Sequence, residues 1–244
     1  EVLRGLESGR IDMVARDLTA PSVFAAEALN AAPYAFLDDA PLEERRTQAV
    51  QSRRFGDGAS VRDLGLLDAS AIAGVREDAW PDVRNPDEMH EALMQLGAIS
   101  AVEATASQWT PLLEALAAGR RATCLQVGDG LWTAAERLPQ LQAVHPAAAP
   151  TPCIDVPPGA QVPTGREEAL RELVRGRLSA SGPVRAVDIA AVLQVEANDI
   201  ECALAALEVE GSAMRGSFDP ALVGEQWCER HLLARIHRYT IKRL

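Results

Sequence analysis

Hydrophobic positions recur at helical spacing over most of the chain, and the clearest run lies near its C-terminal end. Leu170, Leu173, Val174 and Leu178 fall on one stripe of a helix predicted over Glu167–Leu178. Gly182-Pro183 breaks it. A short helix follows over Asp188–Leu193, a turn over Glu196–Asn198, and a third helix over Asp199–Glu210. In that third helix Ile200, Ala203, Leu204 and Leu207 repeat at i, i+3, i+4 and i+7. Gly211 stops it, Ser212–Phe218 reads as a strand, and a last helix is expected from Trp227 to the end.

The same order is predicted earlier. Asp68 can cap a helix running through Ile72 and Val75 to Trp80. Asn85-Pro86-Asp87-Glu88 has the capping-box spacing, with Pro at the first helical position, and Met89, Leu93 and Leu96 follow on one face. Ser100-Ala101-Val102-Glu103 repeats the box. Thr110-Pro111 opens a helix that buries Leu112, Leu113 and Leu116 and stops at Gly119. Arg120–Val127, the turn Gly128-Asp129-Gly130 and Leu131–Thr133 then form a hairpin by their turn chemistry. Helices followed by a short hairpin are the order of a winged helix. Before residue 58, Val2–Val14 alternates loosely like an edge strand, Ser22 caps a helix over Val23–Ala31, and Leu42–Val50 forms a second helix behind Pro41.

Between these blocks lie Gln51–Ser60 and the six-proline stretch His145–Gly165, which lacks the backbone donors for a helix or a central strand. The expected division is therefore 1–58, a helical module with winged-helix order over 61–144, a Pro-rich linker over 145–165, a winged helix over 166–220, and the start of a further helical module over 221–244. The fold class expected is α+β, helix-dominated, with tandem winged-helix (helix-turn-helix) modules and short wing hairpins.

Composition sharpens this picture. Among 244 residues there are 43 alanines and only 4% aromatics, which suits tightly packed helices and disfavours a β-sandwich. The net charge is −11, from 24 Lys+Arg and 35 Asp+Glu. Residues 1–165 carry 13 cations against 23 anions, and residues 166–244 carry 11 against 12. That excludes a chain basic over its whole surface, though not a local basic face. Every cation but Lys242 is Arg, the residue suited to planar carboxylate and phosphate partners. No run reaches the ~18 apolar residues of a membrane span. No signal peptide is visible at the start. The cysteines Cys124, Cys153, Cys202 and Cys228 are scattered and fit reduced thiols, so the expected location is cytoplasmic. The chain starts at Glu1 and stops at Leu244 inside a predicted helix, as a piece of a longer protein would.

Most candidate chemistry falls away. There is no GxxxxGK[ST] phosphate loop and no GxSxG elbow. Cys228 and His231 stand i, i+3 on the predicted last helix, but zinc needs about four ligands and no second pair lies near. Asp38-Asp39 and Glu43-Glu44 sit where helix N-termini want negative charge. Nucleic-acid contact retains a signal. The third helix of 166–220 stands where a helix-turn-helix reads the major groove, but Asp199, Glu201, Glu208 and Glu210 would repel phosphate. The last helix instead gathers His231, Arg235, Arg238 and Lys242 within about 60°, with Tyr239 beside them able to stack. The bland alternative is a solvated charged face. Arg215 on the wing, Arg185, and Arg120-Arg121 at the first hairpin are further candidate contacts.

Three stretches carry a resemblance. Pro21-Ser22-Val23-Phe24 with Asn30–Arg46 resembles the end of the helicase-associated domain of bacterial large helicase-related (Lhr) proteins. Gly130–Leu138 is similar to the wing of the module that follows, and Glu225–Thr240 to the helix opening the extended C-terminal region. The family comprises superfamily-two motors that translocate on single-stranded DNA and unwind duplexes, RNA:DNA hybrids included. The resemblance implies an accessory, non-motor segment in DNA repair, with no catalytic residue, metal or cofactor of its own. ATP and Mg2+ are implied for the parent protein only. The implied partners are single-stranded DNA or an RNA:DNA duplex, the rest of the helicase chain, and further copies of itself. The rivals are a pure protein–protein or oligomerisation module and a winged-helix transcription regulator.

Overall fold

The computed structural model describes residues 67–160 and 162–243, all within one unit that spans Gly65–Leu244. The strand and helices expected before residue 61 lie outside the described residues. Capping decides many of the helix starts. Asp68 accepts from Ala71 N (2.8 Å) and opens α1 (Ala69–Ala79). Asn85 accepts from Glu88 N (2.9 Å) and opens α2 (Pro86–Leu96). The Glu88 carboxylate reaches back one residue further than a capping box requires, to Arg84 N. After β1 (Ile99–Ser100), Ser100 and Glu103 form the reciprocal box that opens α3 (Ala101–Ala106). Then come α4 (Thr110–Ala118), the hairpin β2 (Ala122–Leu125) and β3 (Leu131–Ala134), and α5 (Leu138–Val144).

The strand β4 (Pro150–Thr151) lies within the proline-rich stretch. It pairs at the edge of an antiparallel sheet ordered β1-β3-β2-β4, where a missing N–H is tolerated. Thr123 Oγ1 donates to Pro152 O at 2.6 Å, and Ile154 is buried. The core does not break here. Leu125, Leu131, Leu138 and Leu141 share one apolar cluster with Leu173, Leu193, Ile200 and Leu207 from further along the chain.

The remaining elements are α6 (Arg166–Ser181), α7 (Ala186–Leu193), α8 (Ala197–Val209), β5 (Ala213–Gly216), β6 (Gln226–Glu229) and α9 (Arg230–Arg243). One expectation is corrected. Trp227–Glu229 is not the start of the last helix but the end of β6, antiparallel to β5. Trp227 and Cys228 are buried, and Trp227 exchanges backbone hydrogen bonds with Val184 (2.7 and 2.8 Å). Glu229 then accepts from Leu232 N (2.8 Å), which sets the helix start three residues later. The loop between β5 and β6 is held by the buried Gln226. Its side chain accepts from Phe218 N and Asp219 N and donates to Asp219 O and Leu222 O.

The hub is α6. The spacing of Leu170, Leu173, Val174 and Leu178 predicts one buried stripe, whereas the structure also buries Ala169, Arg177 and Ala180. On that second face Gly176 approaches the C-terminal end of α2. A Cβ on Gly176 would stand 2.3 Å from Gln95 O, so only glycine permits the crossing. Arg177, 5% exposed, lies over the Trp80 ring with its guanidinium carbon 5.2 Å from the centroid, and pairs with Glu103. Trp80 stacks on Trp109 at 5.7 Å. Burial lowers the Arg177 guanidinium to about 10.

Two stability outcomes follow from this crossing. Gly176→Ala overpacks the α2–α6 contact and lowers unfolding free energy by about 1–3 kcal/mol in urea titrations. Glu103→Gln keeps an amide able to close the Ser100 box but removes the counter-charge of buried Arg177. Its loss is larger, about 3 kcal/mol or more.

Candidate nucleic-acid interface

The seat of α9 is built from its apolar stripe. Leu232 and Ile236 are buried against Leu67, Ile72, Val75 and Cys228. Thr240 is buried too. Its hydroxyl donates to Ile236 O (2.9 Å) and accepts from Asp68 N (3.1 Å), stitching α9 to the start of α1. This packing turns His231, Arg235, Arg238 and Lys242 away from the core, as the rotational pattern predicts. His231 is 90% exposed on its side chain. Arg238 and Lys242 are exposed and have no ion pair among the described residues. Tyr239 sits at the margin of the stripe, partly exposed.

Arg235 differs from its neighbours. One guanidinium nitrogen reaches Asp78 Oδ2 on α1 at 3.0 Å. Most of the other arginine candidates are similarly engaged. Arg121 pairs with Asp87 at 2.6 Å. Arg185 grips Asp188 with Nε (2.9 Å) and a terminal nitrogen (2.6 Å). Arg215 lies between Glu208 (3.7 Å) and Glu225 (3.6 Å), over the Trp227 ring. Arg120 is exposed in a left-handed turn and carries no ion pair among the described residues. The structure thus groups the four α9 residues and leaves Arg120, Arg121, Arg185 and Arg215 on other elements, the last three each held by carboxylates of their own.

The carboxylates of the third helix are also accounted for. Asp199 pairs with Arg166 (2.6 Å), Glu208 with Arg215, and Glu210 with Arg175 (2.5 Å) and Arg171 (3.4 Å). Glu201 alone of the four expected repellents has no ion pair among the described residues. The exposed positions Asn198, Glu201, Cys202, Ala205 and Val209 include no cation, so α8 offers phosphate no opposite charge.

Cys228 belongs to β6, not to a helix shared with His231. It is fully buried, and burial pushes its thiol up to about 12. His231 points to solvent. Among the described residues no group of three or more His, Cys, Asp or Glu is placed to hold a metal. No helix among them is long and apolar enough to cross a membrane. The feature that sequence reasoning missed is the acidic groove beside α9, lined by Glu77, Asp78, Trp80, Asp82, Leu232 and Arg235. Its only sequence signal is the bunching of carboxylates around the end of α1.

No family model matches the chain. Along its whole length it aligns with a curated protein of Mycolicibacterium smegmatis described as "Lhr helicase/ probable uracil glycosylase". The two are 26% identical over 262 aligned residues, which take in 100% of this chain and 17% of that protein. The chain is related to the Lhr helicases. This agrees with the resemblance carried by its own motifs, and the Lhr relationship runs through α9 and both hairpins.

The ion pairs make a pH outcome testable. The hydrogen bond from Arg175 holds Glu210 below the usual carboxylate range, and that from Arg185 does the same for Asp188. Each binds its proton less readily folded than unfolded. Their contribution to stability is therefore complete above pH ~5 and is lost progressively as the pH falls through the carboxylate range below it. In urea unfolding at pH 5 and pH 3, the Glu210→Gln/Asp188→Asn double variant loses less stability between the two than wild type does.

Proposed function

We propose that the chain is an accessory, non-motor segment of an Lhr-type helicase, built of two winged helices, and that it touches nucleic acid through α9. The observation that carries the Lhr assignment is the alignment over 100% of the chain. The winged-helix reading is supported by a repeated order. The first copy runs α2, β1, α3, α4, β2, β3, with β1 pairing to β3. The second runs α6, the Val184 bridge, α7, α8, β5, β6, with Val184 bonded to Trp227 of β6. Each has a first helix, a short strand, two helices and a hairpin whose final strand takes in the short one. Packing of the two first helices, α2 on α6, joins the copies through Gly176.

On this reading the parent protein supplies ATP hydrolysis with Mg2+, and its work is nucleic-acid unwinding in repair. This segment holds neighbouring parts of the motor in register and guides single-stranded DNA or an RNA:DNA duplex along the exposed stripe of α9. A second reading, a module that binds only protein, is favoured by the carboxylate partners on Arg121, Arg185, Arg215 and Arg235.

Binding of a labelled oligo-dT and of an RNA:DNA hybrid across a salt series separates the two. If α9 tracks phosphates, Arg238→Ala/Lys242→Ala weakens binding. It also makes the dependence of log K on log salt shallower by about 1.4 on the single strand, at ~0.7 for each phosphate no longer neutralised. Equal binding by wild type and the double variant, or none by either at low salt, selects the protein module.

A further inference from the structure

We infer that Asp78 is an autoinhibitory contact: it holds Arg235 where a nucleic-acid phosphate would bind, so nucleic acid must compete with α1 for this arginine. The inference rests on α9 being the nucleic-acid contact and adds a built-in regulation to it.

Arg235 lies in the middle of the candidate stripe. At 100° per residue it falls within about 60° of Arg238 and Lys242, and those two are unpaired among the described residues. A strand that followed Arg238 and Lys242 would pass Arg235 as well. Arg235 is instead bound to a carboxylate 157 residues away in sequence.

The pair has the features of a displaceable contact. Its side chains are 36% and 56% exposed, Arg235 and Asp78 respectively. Only one nitrogen of the guanidinium engages Asp78, whereas Arg185 uses two on Asp188. An exposed pair of this kind shifts an equilibrium by no more than about fivefold. A phosphate has the charge and oxygen geometry to take two of the guanidinium's N–H donors in a bidentate pair. The pair also opens onto a groove of about 830 Å³, so both partners can be reached from solvent.

The position of Asp78 points the same way. It stands in the last turn of α1, where backbone carbonyls make a carboxylate locally unfavourable. Glu77 and Asp82 line the same groove and deepen its negative field, while Asp82 is itself tied to Arg84 (2.5 Å). Carboxylates at the mouth would repel a phosphate approaching Arg235 until the pair opens. Basic α9 thus borders the acidic end of α1 along one edge.

The test uses this chain and a labelled oligo-dT across a salt series. It compares Asp78→Asn with Glu77→Gln, which removes the same charge one residue away without touching the pair. The expected result is that Asp78→Asn tightens binding about threefold or more beyond Glu77→Gln. Freeing Arg235 to neutralise one more phosphate also steepens the salt slope by about 0.7. In an Arg235→Ala background the two substitutions become equivalent. Equal effects of Asp78→Asn and Glu77→Gln with Arg235 present overturn the inference and leave the α9 reading standing. So does a gain from Asp78→Asn that survives without Arg235. Absence of oligo-dT binding by wild type and by every variant overturns the α9 reading itself, and the inference with it.

Discussion

The architecture depends on one buried cation. Arg177 comes from α6, yet its guanidinium lies over Trp80 and its ion partner, Glu103, belongs to α3. Glu103 serves two neighbours at once: Oε2 closes the capping box on Ser100, and Oε1 meets Arg177. The start of α3, the Trp80–Trp109 stack and the placement of α6 are therefore coupled through a single carboxylate. A buried charge in such a setting is weak evidence for net stability, but a shifted α6 would leave it unpaired, which penalises that misalignment. Burial opposes the charge enough to lower its pKa to about 10, and the pair and the indole face offset only part of that penalty.

The glycine one residue earlier makes this arrangement possible. Gly176 lets α6 approach α2 to backbone distance, and Arg177, the next residue, pairs with Glu103. Close helix crossings of this kind need small residues, and an alanine-rich composition suits them. The proline-rich stretch works in the same direction. Its edge strand, the Thr123–Pro152 hydrogen bond and buried Ile154 strap the connection to the first sheet. His145 at its start donates to Leu193 O of α7 at 2.9 Å.

Local signals are legible in the sequence, and distant ones are not. The caps at Asp68, Asn85 and Ser100 form where the spacing places them, because a cap is settled within four residues. The buried stripe of α9 follows its period, so the basic face can be read from rotation alone. The extra burial on α6 is hidden at Gly176 and Arg177 because glycine and arginine do not register as apolar. Strand β6 is hidden because Trp227 and Cys228 look like the start of a helix until Val184 and β5 provide partners. Reading those residues as helical also sets Cys228 and His231 on one helix and suggests a metal pair that a strand separates. Ion pairs are the least legible. Nothing near Arg235 in sequence announces Asp78.

Those ion pairs change what net charge says about function. The acidity of the chain argues against nucleic acid as a matter of long-range field, but contact is decided where charges are unpaired. On α8, Arg166, Arg171, Arg175 and Arg215 neutralise three of the four carboxylates that would forbid an approach to phosphate, and are themselves consumed in doing so. The helix in the reading position becomes electrically quiet rather than repulsive. On α9 the balance is reversed: its buried side is satisfied by apolar contacts and Thr240, so Arg238 and Lys242 have no internal work. An arginine with a carboxylate partner has a use inside the fold, whereas an exposed cation without one must be explained by solvent or by a ligand. Of the candidate contacts, that distinction, rather than the total of −11, singles out Arg238 and Lys242 on α9 and Arg120 at the first hairpin as the cations without an ion pair among the described residues.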